Sequence, residues 1–455
     1  MKQELTRREF NRKIAAGALT ALSALQLTPS ARAAGQEKPS RKPNIIYIMA
    51  DDLGYGDLGC YGQKRIKTPN IDRMAQEGLR FTDCYAGSTV CAPSRCSLMT
   101  GYHMGHARVR GNKLHPLLPE DVTVAEILKN AGYYTGLIGK WGLGQPDTTG
   151  VPNRQGFDFF YGYLNQVRAH NYYPDYLWRN EEREYFNGWK YSHDVFMDES
   201  LKFIREHRED PFFLYLALTI PHAFNEGREQ GMQVPTDKPY SDPDWPQQEK
   251  NRAAMITRMD TGIGQLLDLL KELDLDKDTI IFFTSDNGPH SEGGSKAGFF
   301  DSNGPLRGIK RDLYDGGIRV PMIVRWTGKI APGSESDFVW AFWDFLPTAA
   351  EIAGAECPEG IDGFSVLPAL LGNMEEQKKH DYLYWEFYER GYSQAVRKDQ
   401  WKAVKTGKDQ PVELFNIKED ISESNNIADQ HPDIVKEMEN IMREAHEDHP
   451  EYPVP

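Results

Sequence analysis

The chain has 455 residues, 39% apolar, 26% charged and 11% aromatic, with a formal net charge of −14. These values give a folded chain with material for a large core and exclude a protein disordered over most of its length. So acidic a balance argues against nucleic acid as a partner and against a long basic groove for polyanions; an anionic ligand would need a small local pocket of positive charge.

At the start, Thr6-Arg7-Arg8-Glu9-Phe10 carries paired arginines, an apolar alanine-rich run covers Ile14 to Leu27, and Ala31-Arg32-Ala33 supplies a small-residue cleavage signal. Residues 1–33 read as an export signal of the twin-arginine type, which places the mature protein in the periplasm or outside the cell. A membrane anchor is the alternative, but the run is shorter than the ~20 apolar residues a span needs. Cleavage removes six basic and two acidic side chains and takes the formal charge from −14 to −18.

Four short, nearly continuous apolar runs follow: Asn44–Ala50, Tyr133–Ile138, Phe212–Thr219 and Thr279–Ser285. Each is too short for a helix and suits a strand buried on both faces, as in a parallel sheet. Helical patterns lie between them at Ile71–Glu77, Thr123–Ala131 (a Thr cap and a closing Gly132) and Met255–Leu273. The alternation predicts an α/β domain over residues 41–370 with helices on both faces of the sheet. Residues 150–200, rich in Tyr, Asn, Trp and Gly, read as an insertion or long loop region. Beyond residue 370, Tyr382–Tyr388, Ser393–Arg397, Lys402–Lys405 and Val412–Asn416 read as short strands, followed by a helix over Asp433–His446. Residues 371–455 are therefore expected to form a small α+β subdomain, an antiparallel sheet with one packed helix.

Ligands of open α/β sheets bind beyond the carboxyl ends of the strands. The four runs are followed by Asp51-Asp52, by Gly139-Lys140-Trp141, by Ile220-Pro221-His222 and by Asp286-Asn287-Gly288. Asp51, Asp52, Asp286 and Asn287 offer only oxygen to a metal, which suits calcium or magnesium, not zinc or copper. Each pair alone also reads as ordinary strand-end turn residues.

Cys60, Cys84, Cys91, Cys96 and Cys357 are too few, and odd in number, for a disulfide framework. Cys91 opens the run Cys91-Ala92-Pro93-Ser94-Arg95, whose proline places it at a helix N-terminus. Free backbone N–H groups there attract anions and lower a thiol's pKa, so Cys91 reads as a nucleophile or, alternatively, as a structural or disulfide-bonded cysteine.

The run resembles the Cys-x-Pro-Ser-Arg signature of the formylglycine-dependent (type I) sulfatases of the alkaline phosphatase superfamily. The resemblance extends from Asn44 to the C-terminus. It takes in Asp51-Asp52 with Gly54-Tyr55-Gly56, Thr68–Asp72, Gly139-Lys140-Trp141, Pro221-His222, Asp286-Asn287-Gly288, Gly304–Gly308, Lys310 and Gly316–Pro321. It implies an alkaline phosphatase-like fold, a large mixed and mostly parallel sheet flanked by helices. It also implies that a separate formylglycine-generating enzyme oxidises Cys91 to formylglycine (3-oxoalanine), whose hydrate supplies the nucleophilic hydroxyl. Asp51, Asp52, Asp286, Asn287 and the modified Cys91 would hold a calcium ion (Ca2+). Arg95 would orient the modified side chain, Lys140, His222 and Lys310 would bind the sulfate and the leaving oxygen, and His222 is the candidate proton donor.

One departure stands out: many relatives carry histidine where this chain has Gly142. His103, His106 and His290 lie near matched motifs and are candidates for its role. Lys296 and Arg307 also lie near site motifs; Arg307 is either sulfate-facing or structural. His170, Tyr172, Tyr173 and Trp178 are read either as sugar-contacting or as a small aromatic core. The leading expectation is an exo-acting carbohydrate sulfatase for terminal sulfated galactose or N-acetylgalactosamine, with no nucleic-acid partner and no membrane span once the signal is removed. The alternatives are a phosphate-ester hydrolase of the same superfamily and a non-catalytic binder of sulfated glycans.

Overall fold

The computed structural model describes residues 41–454. The export-signal reading of residues 1–33 falls outside the described residues.

Eleven strands form one large sheet: β1 (Asn44–Asp51), β2 (Leu79–Tyr85), β3 (Tyr134–Lys140), β4 (Phe159–Tyr163), β5 (Tyr176–Arg179), β6 (Glu182–Tyr185), β7 (Phe212–Pro221), β8 (Thr279–Ser285), β9 (Arg319–Trp326), β10 (Ser334–Ser336) and β11 (Trp340–Ala341). Their spatial order is β10-β2-β9-β8-β1-β7-β3-β4-β5-β6, with β11 beside β2. The four apolar runs become β8, β1, β7 and β3, four adjacent strands paired in parallel at the centre. Their carboxyl ends therefore share one edge of the sheet. The antiparallel pairs β2–β9, β8–β9, β4–β5 and β5–β6 make the sheet mixed.

Both faces of β1 are covered, which is why its pattern is continuous and not alternating. Ile45, Tyr47 and Met49 enter one apolar cluster with the helices Cys91–Thr100, Val124–Asn130 and Phe345–Ala353. Ile46, Ile48 and Ala50 enter the other, with the helices Pro69–Gln76, Ser192–Glu206 and Gln247–Glu272. Thr123 caps its helix as its sequence indicates: its side chain accepts from the Glu126 N–H while Glu126 accepts from the Thr123 N–H.

Residues 150–200 correct the loop expectation. They contain β4, β5, β6 and the first turns of the fifteen-residue helix Ser192–Glu206. Strands of four or five residues are too short to display a period.

Towards the C-terminus, β12 (Leu383–Phe387), β13 (Ser393–Lys398), β14 (Trp401–Lys405) and β15 (Glu413–Asn416) form a four-stranded antiparallel meander. One face, with Trp385 and Val404, packs on Tyr85, Val90, Ile318 and Trp343; the other, with Tyr384, Val396 and Leu414, carries Met438 and Met442 of the helix Pro432–Glu444.

Candidate active site

The shared carboxyl edge of β8, β1, β7 and β3 delivers Asp286, Asp51, His222 and Lys140 side by side. Asp52 follows Asp51 with φ at +62°, a left-handed turn that redirects the chain just beyond the strand. Its amide donates to Asp286 Oδ1 (3.1 Å), and its own Oδ1 accepts from Asn287 Nδ2 (2.7 Å). Asp51, Asp52, Asp286 and Asn287 are all fully buried.

Two buried oxygens of this set, Asp51 Oδ1 and Asn287 Oδ1, have no hydrogen-bond partner among the described residues. Unsatisfied acceptors next to buried carboxylates are costly unless a cation is present. Burial first, and then the charge of Asp286, push the Asp51 carboxyl up to about 7, the response of a carboxylate crowded by another carboxylate. Carboxyl oxygens of Asp51 and Asp286 and the Cys91 Sγ lie within 4.8 Å of one another. The residues present thus fit a hard divalent cation.

Cys91 is the first residue of the helix Cys91–Thr100, after extended Val90, and every residue of that helix is buried. Arg95, one turn on, donates from Nε and Nη2 to Asp286 Oδ2 (3.2 and 2.8 Å) and from Nη1 to the Lys140 carbonyl (3.1 Å), tying the helix to the carboxylates. Ser94 donates to the Asp286 carbonyl at 2.6 Å. One sequence expectation fails here. The Cys91 thiol is pushed up, not down: burial outweighs the lowering by Lys140 and Lys310. As a plain thiol it is a poor nucleophile at neutral pH.

Two ammonium groups stand between the carboxylates and two imidazoles. Lys140 Nζ lies 2.7 Å from Asp51 Oδ2 and 3.1 Å from His170 Nε2. Lys310 Nζ lies 2.7 Å from Asp52 Oδ2 and 2.8 Å from His222 Nε2. Both lysines are raised above the ordinary ammonium value: burial disfavours their charge, but the neighbouring carboxylates outweigh it. His170 and His222 stack with ring centroids 3.4 Å apart, and burial, reinforced by Lys140 and Lys310, and by His222 for the one and His290 for the other, pulls both well below the ordinary imidazole range. His222 Nδ1 faces the Ala223 carbonyl at 2.7 Å and so carries the proton, leaving Nε2 to accept from Lys310. The proton available on this side of the site sits on Lys310, one hydrogen bond from His222.

These groups open onto a cavity of about 190 Å3 lined by Cys91, His170, His222 and Lys310, together with Asn112 and Gln166. Asn112 and Gln166 carried no signal in the sequence. Cys91 Sγ lies 3.5 Å from Asn112 Oδ1 and 3.6 Å from Gln166 Oε1, and Gln166 in turn donates to the Asn112 carbonyl (3.0 Å). Gly142 has φ at +86°, and a Cβ there would meet Gln166 at 3.5 Å, so this stretch of backbone is shaped for glycine and the adjoining space belongs to Gln166.

The other candidates lie elsewhere. His103 and His106 engage Asp362 at the approach to the C-terminal meander. His290 backs His222, its ring 5.7 Å away and its Nε2 3.1 Å from the Pro221 carbonyl. Lys296 is exposed. Tyr172 is fully buried, and its hydroxyl donates to the backbone carbonyls of Thr219 and His222, which holds the end of β7 and does not face the cavity. Arg307 reaches the C-terminal meander, 2.8 Å from the Glu423 carbonyl and 3.4 Å from Glu413. Tyr172 and Arg307 are thus engaged in packing, in contrast to the substrate contacts considered from their sequence positions.

The sequence model of the sulfatase family matches residues 43–355, and that of the N-sulphoglucosamine sulphohydrolase C-terminal region matches residues 299–448. The chain is 30% identical to an N-acetylgalactosamine-6-O-sulfatase of Bacteroides thetaiotaomicron, over 89% of this chain and 93% of that protein. It is 34% identical to human arylsulfatase A, over 80% of this chain and 75% of that one. Among solved structures, that of Ps i-CgsB in complex with k-i-k-neocarrahexaose superposes with a TM-score of 0.78 at 30% identity, covering 89% of this chain and 92% of that one. With its mixed sheet and C-terminal meander, this chain belongs to the sulfatase family: it is a type I sulfatase of the alkaline phosphatase superfamily, a sulfuric ester hydrolase.

Proposed function

We propose that the protein is an exported, exo-acting carbohydrate sulfatase working in the periplasm or outside the cell. In this reading residues 1–33 direct export, residues 41–370 form the catalytic domain and residues 371–455 a supporting subdomain. The carrying observation is the pairing of Lys140 with Asp51 and of Lys310 with Asp52 around the buried Cys91. A sulfate ester repels nucleophiles by its charge, and two buried ammonium groups beside position 91 neutralise that charge where it develops. A carbohydrate substrate is favoured by the N-acetylgalactosamine-6-O-sulfatase relative and the oligosaccharide-bound neighbour; galactose or N-acetylgalactosamine sulfates are the first to test.

Asp51, Asp52, Asp286, Asn287 and residue 91 would hold Ca2+, which supplies positive charge for the sulfate and lowers the pKa of a bound hydroxyl. Formylglycine, made from Cys91 by a formylglycine-generating enzyme, would supply the hydroxyl nucleophile that the raised thiol pKa denies to Cys91 itself. The chain's own side chains do the rest. Arg95 fixes Asp286 and the helix bearing residue 91, Lys140 and Lys310 bind sulfate oxygens, and the Lys310–His222 pair delivers a proton to the leaving oxygen.

A phosphate-ester hydrolase with two metals is the competing reading. Asp51, His170 and His222 could form a second metal cluster, but Lys140 Nζ already stands between Asp51 and His170. A non-catalytic glycan binder remains as the third.

The test begins with mass spectrometry of the Cys91 peptide from protein co-produced with a converting enzyme, followed by a screen of sulfated mono- and disaccharides. An aldehyde in place of the thiol with sulfate release from terminal units is the expected result. Faster turnover of the matching phosphate esters would favour the phosphatase reading, and tight binding without release the binder.

A further inference from the structure

Between the helices Cys91–Thr100 and Val124–Asn130 the chain forms no helix or strand, so contacts from elsewhere fix its path. Asn112 lies in this stretch. Its Oδ1 is 3.5 Å from Cys91 Sγ and accepts from the Ala92 amide at 3.2 Å, one of the donors left free at the start of the first helix. The fixing contacts come from the other end of the chain. After the helix Pro432–Glu444 has packed on the meander, the chain crosses back and lies along residues 105–115. The Glu447 amide donates to the Gly105 carbonyl (3.2 Å), and the Ala445 carbonyl sits so close to Gly105 that an added Cβ would meet it at 1.8 Å. Buried Arg110 donates to the Glu447 carbonyl at 2.7 Å, and Lys113 Nζ to the Glu451 carbonyl at 3.3 Å. Tyr452 ends the crossing. It is 1% exposed, its hydroxyl is 3.5 Å from the Gly111 carbonyl, and a Cβ added to Gly111 would come within 3.2 Å of its ring. The rings of His115 and Tyr388 pack on it with centroids 5.3 and 5.5 Å away.

We propose that residues 445–452 are a strap that positions Asn112 beside position 91, with Tyr452 as its anchor. Its effect on rate follows from the proposed role of position 91 as the nucleophile, on which this inference rests. An amide oxygen takes no proton near neutral pH, so Asn112 acts by fixing where a substituent at position 91 can point. Gln166 holds Asn112 by donating to its backbone carbonyl (3.0 Å), and Tyr452 holds the residue before it. Both are positioning residues, and only the strap reaches this stretch from the C-terminal subdomain. A stretch without helix or sheet bonds of its own shifts when such a contact is lost, and a displacement of ~1 Å at a group that orients a nucleophile can cost up to about 10²-fold in rate.

Two measurements test the strap in wild type, Asn112→Ala, Tyr452→Ala, Tyr452→Phe, Gly111→Ala and the double variant Asn112→Ala/Tyr452→Ala. In unconverted protein, mass spectrometry of the Cys91 peptide follows its alkylation by iodoacetamide, which is slow in wild type because Cys91 is 2% exposed. In converted protein, kcat and KM are measured on a sulfated saccharide. Asn112→Ala and Tyr452→Ala should each speed alkylation about tenfold and lower kcat about tenfold, with KM within about twofold. The double variant should match Asn112→Ala alone, because the strap acts through that residue. Tyr452→Phe keeps the ring and should behave as wild type. Gly111→Ala presses on the ring and should move both readouts the same way, which carries the test where Tyr452→Ala does not fold. Losses that multiply in the double variant, a Tyr452→Phe as impaired as Tyr452→Ala, or unchanged alkylation and kcat in Gly111→Ala and folded Tyr452→Ala would each overturn the strap. The expected alkylation pattern in protein that releases no sulfate once converted would support the strap and overturn the proposed function instead.

Discussion

Gln166 Oε1 stands 3.6 Å from the Sγ of Cys91, beside the left-handed backbone of Gly142. With Asn112 Oδ1 at 3.5 Å, position 91 faces two neutral amides on one side and charged groups on the other. An amide oxygen accepts a hydrogen bond but holds no proton near neutral pH, so Gln166 positions an oxygen substituent and does not act as a base. Gln166→Ala is expected to lower kcat about tenfold, the scale of one lost hydrogen bond plus disorder of its neighbour, with Cys91 conversion unchanged by mass spectrometry. Gln166→Glu should raise KM for a sulfate ester, because it sets a carboxylate beside the anionic substrate. Unaltered kcat in Gln166→Ala would remove Gln166 from the reaction.

The carboxylate cluster makes stability depend on pH in a cation-sensitive way. Burial and the Asp286 charge raise Asp51 from its ordinary 3.8 to about 7. A carboxyl raised on folding stabilises the fold fully below 3.8, and that contribution is lost as pH rises through about 7. Asp52 moves the other way: burial alone would raise it, but Lys310, His290 and Asn287 together hold it below the ordinary range, so its stabilising contribution is already complete above about pH 4. Asp51 shares the window from about pH 4 to 7: Glu423 and Asp260, raised to about 7 and about 6, lose stability there as well, and the buried His103, His193 and His290, pulled down to about 4, gain it. In EDTA, the Tm of wild type measured by calorimetry should fall relative to that of Asp51→Asn as pH rises across that window. Saturating calcium should remove that relative fall, since a cation binds the ionised form and adds about 2.7 kcal/mol at a hundredfold excess over its Kd. Identical profiles with and without calcium would count against the cation site.

Much of this site was readable in chain order because a parallel sheet converts it into spatial order. Asp51 and Lys140 end, and His222 and Asp286 directly follow, strands grown from the apolar runs, and once the runs pair in parallel the four residues must meet. Gln166 and Asn112 were not readable. They lie in irregular segments whose path depends on packing around Gly142 and β4, and a lone amide in a loop has no pattern. The stretch 150–200 was hidden for a related reason, since strands of four or five residues give too few positions to reveal a period. The thiol pKa of Cys91 went the wrong way in the sequence reading because the helix N-terminus was visible there and the burial was not.

Lys310 should matter more to rate than to binding. Its ammonium touches both Asp52 and His222, so it is placed to meet charge on the leaving oxygen. Lys310→Ala is expected to lower kcat by about 10²–10³, the range for deleting one preorganised donor of a developing charge. KM should change less, because Lys140 remains to bind sulfate. Lys310→Arg should not restore the rate, since a planar fork cannot reach two acceptors that converge on one ammonium. The loss should shrink for substrates whose leaving alcohol is more acidic, such as aryl sulfates, which need less protonation. An equal loss for aryl and sugar sulfates would assign Lys310 to sulfate binding alone.

Arg307 lies in a motif shared with the site, yet its side chain turns away from the cavity. Its guanidinium stacks 3.8 Å over the Tyr314 ring and donates to the Glu423 carbonyl, while Glu423 accepts from the Asp315 amide and from Lys402. Arg307 thus joins the segment leading into β9 to the loop that follows β15. The ion pair with Glu413 is partly exposed and contributes little, in the range of 0–1 kcal/mol; the stacking contact adds about 0.5–1 kcal/mol. Arg307→Ala is expected to lower unfolding stability in denaturant by about 1–2 kcal/mol and to leave kcat/KM on a sulfated saccharide within about twofold. Substrate contact would give the reverse, intact stability with a raised KM.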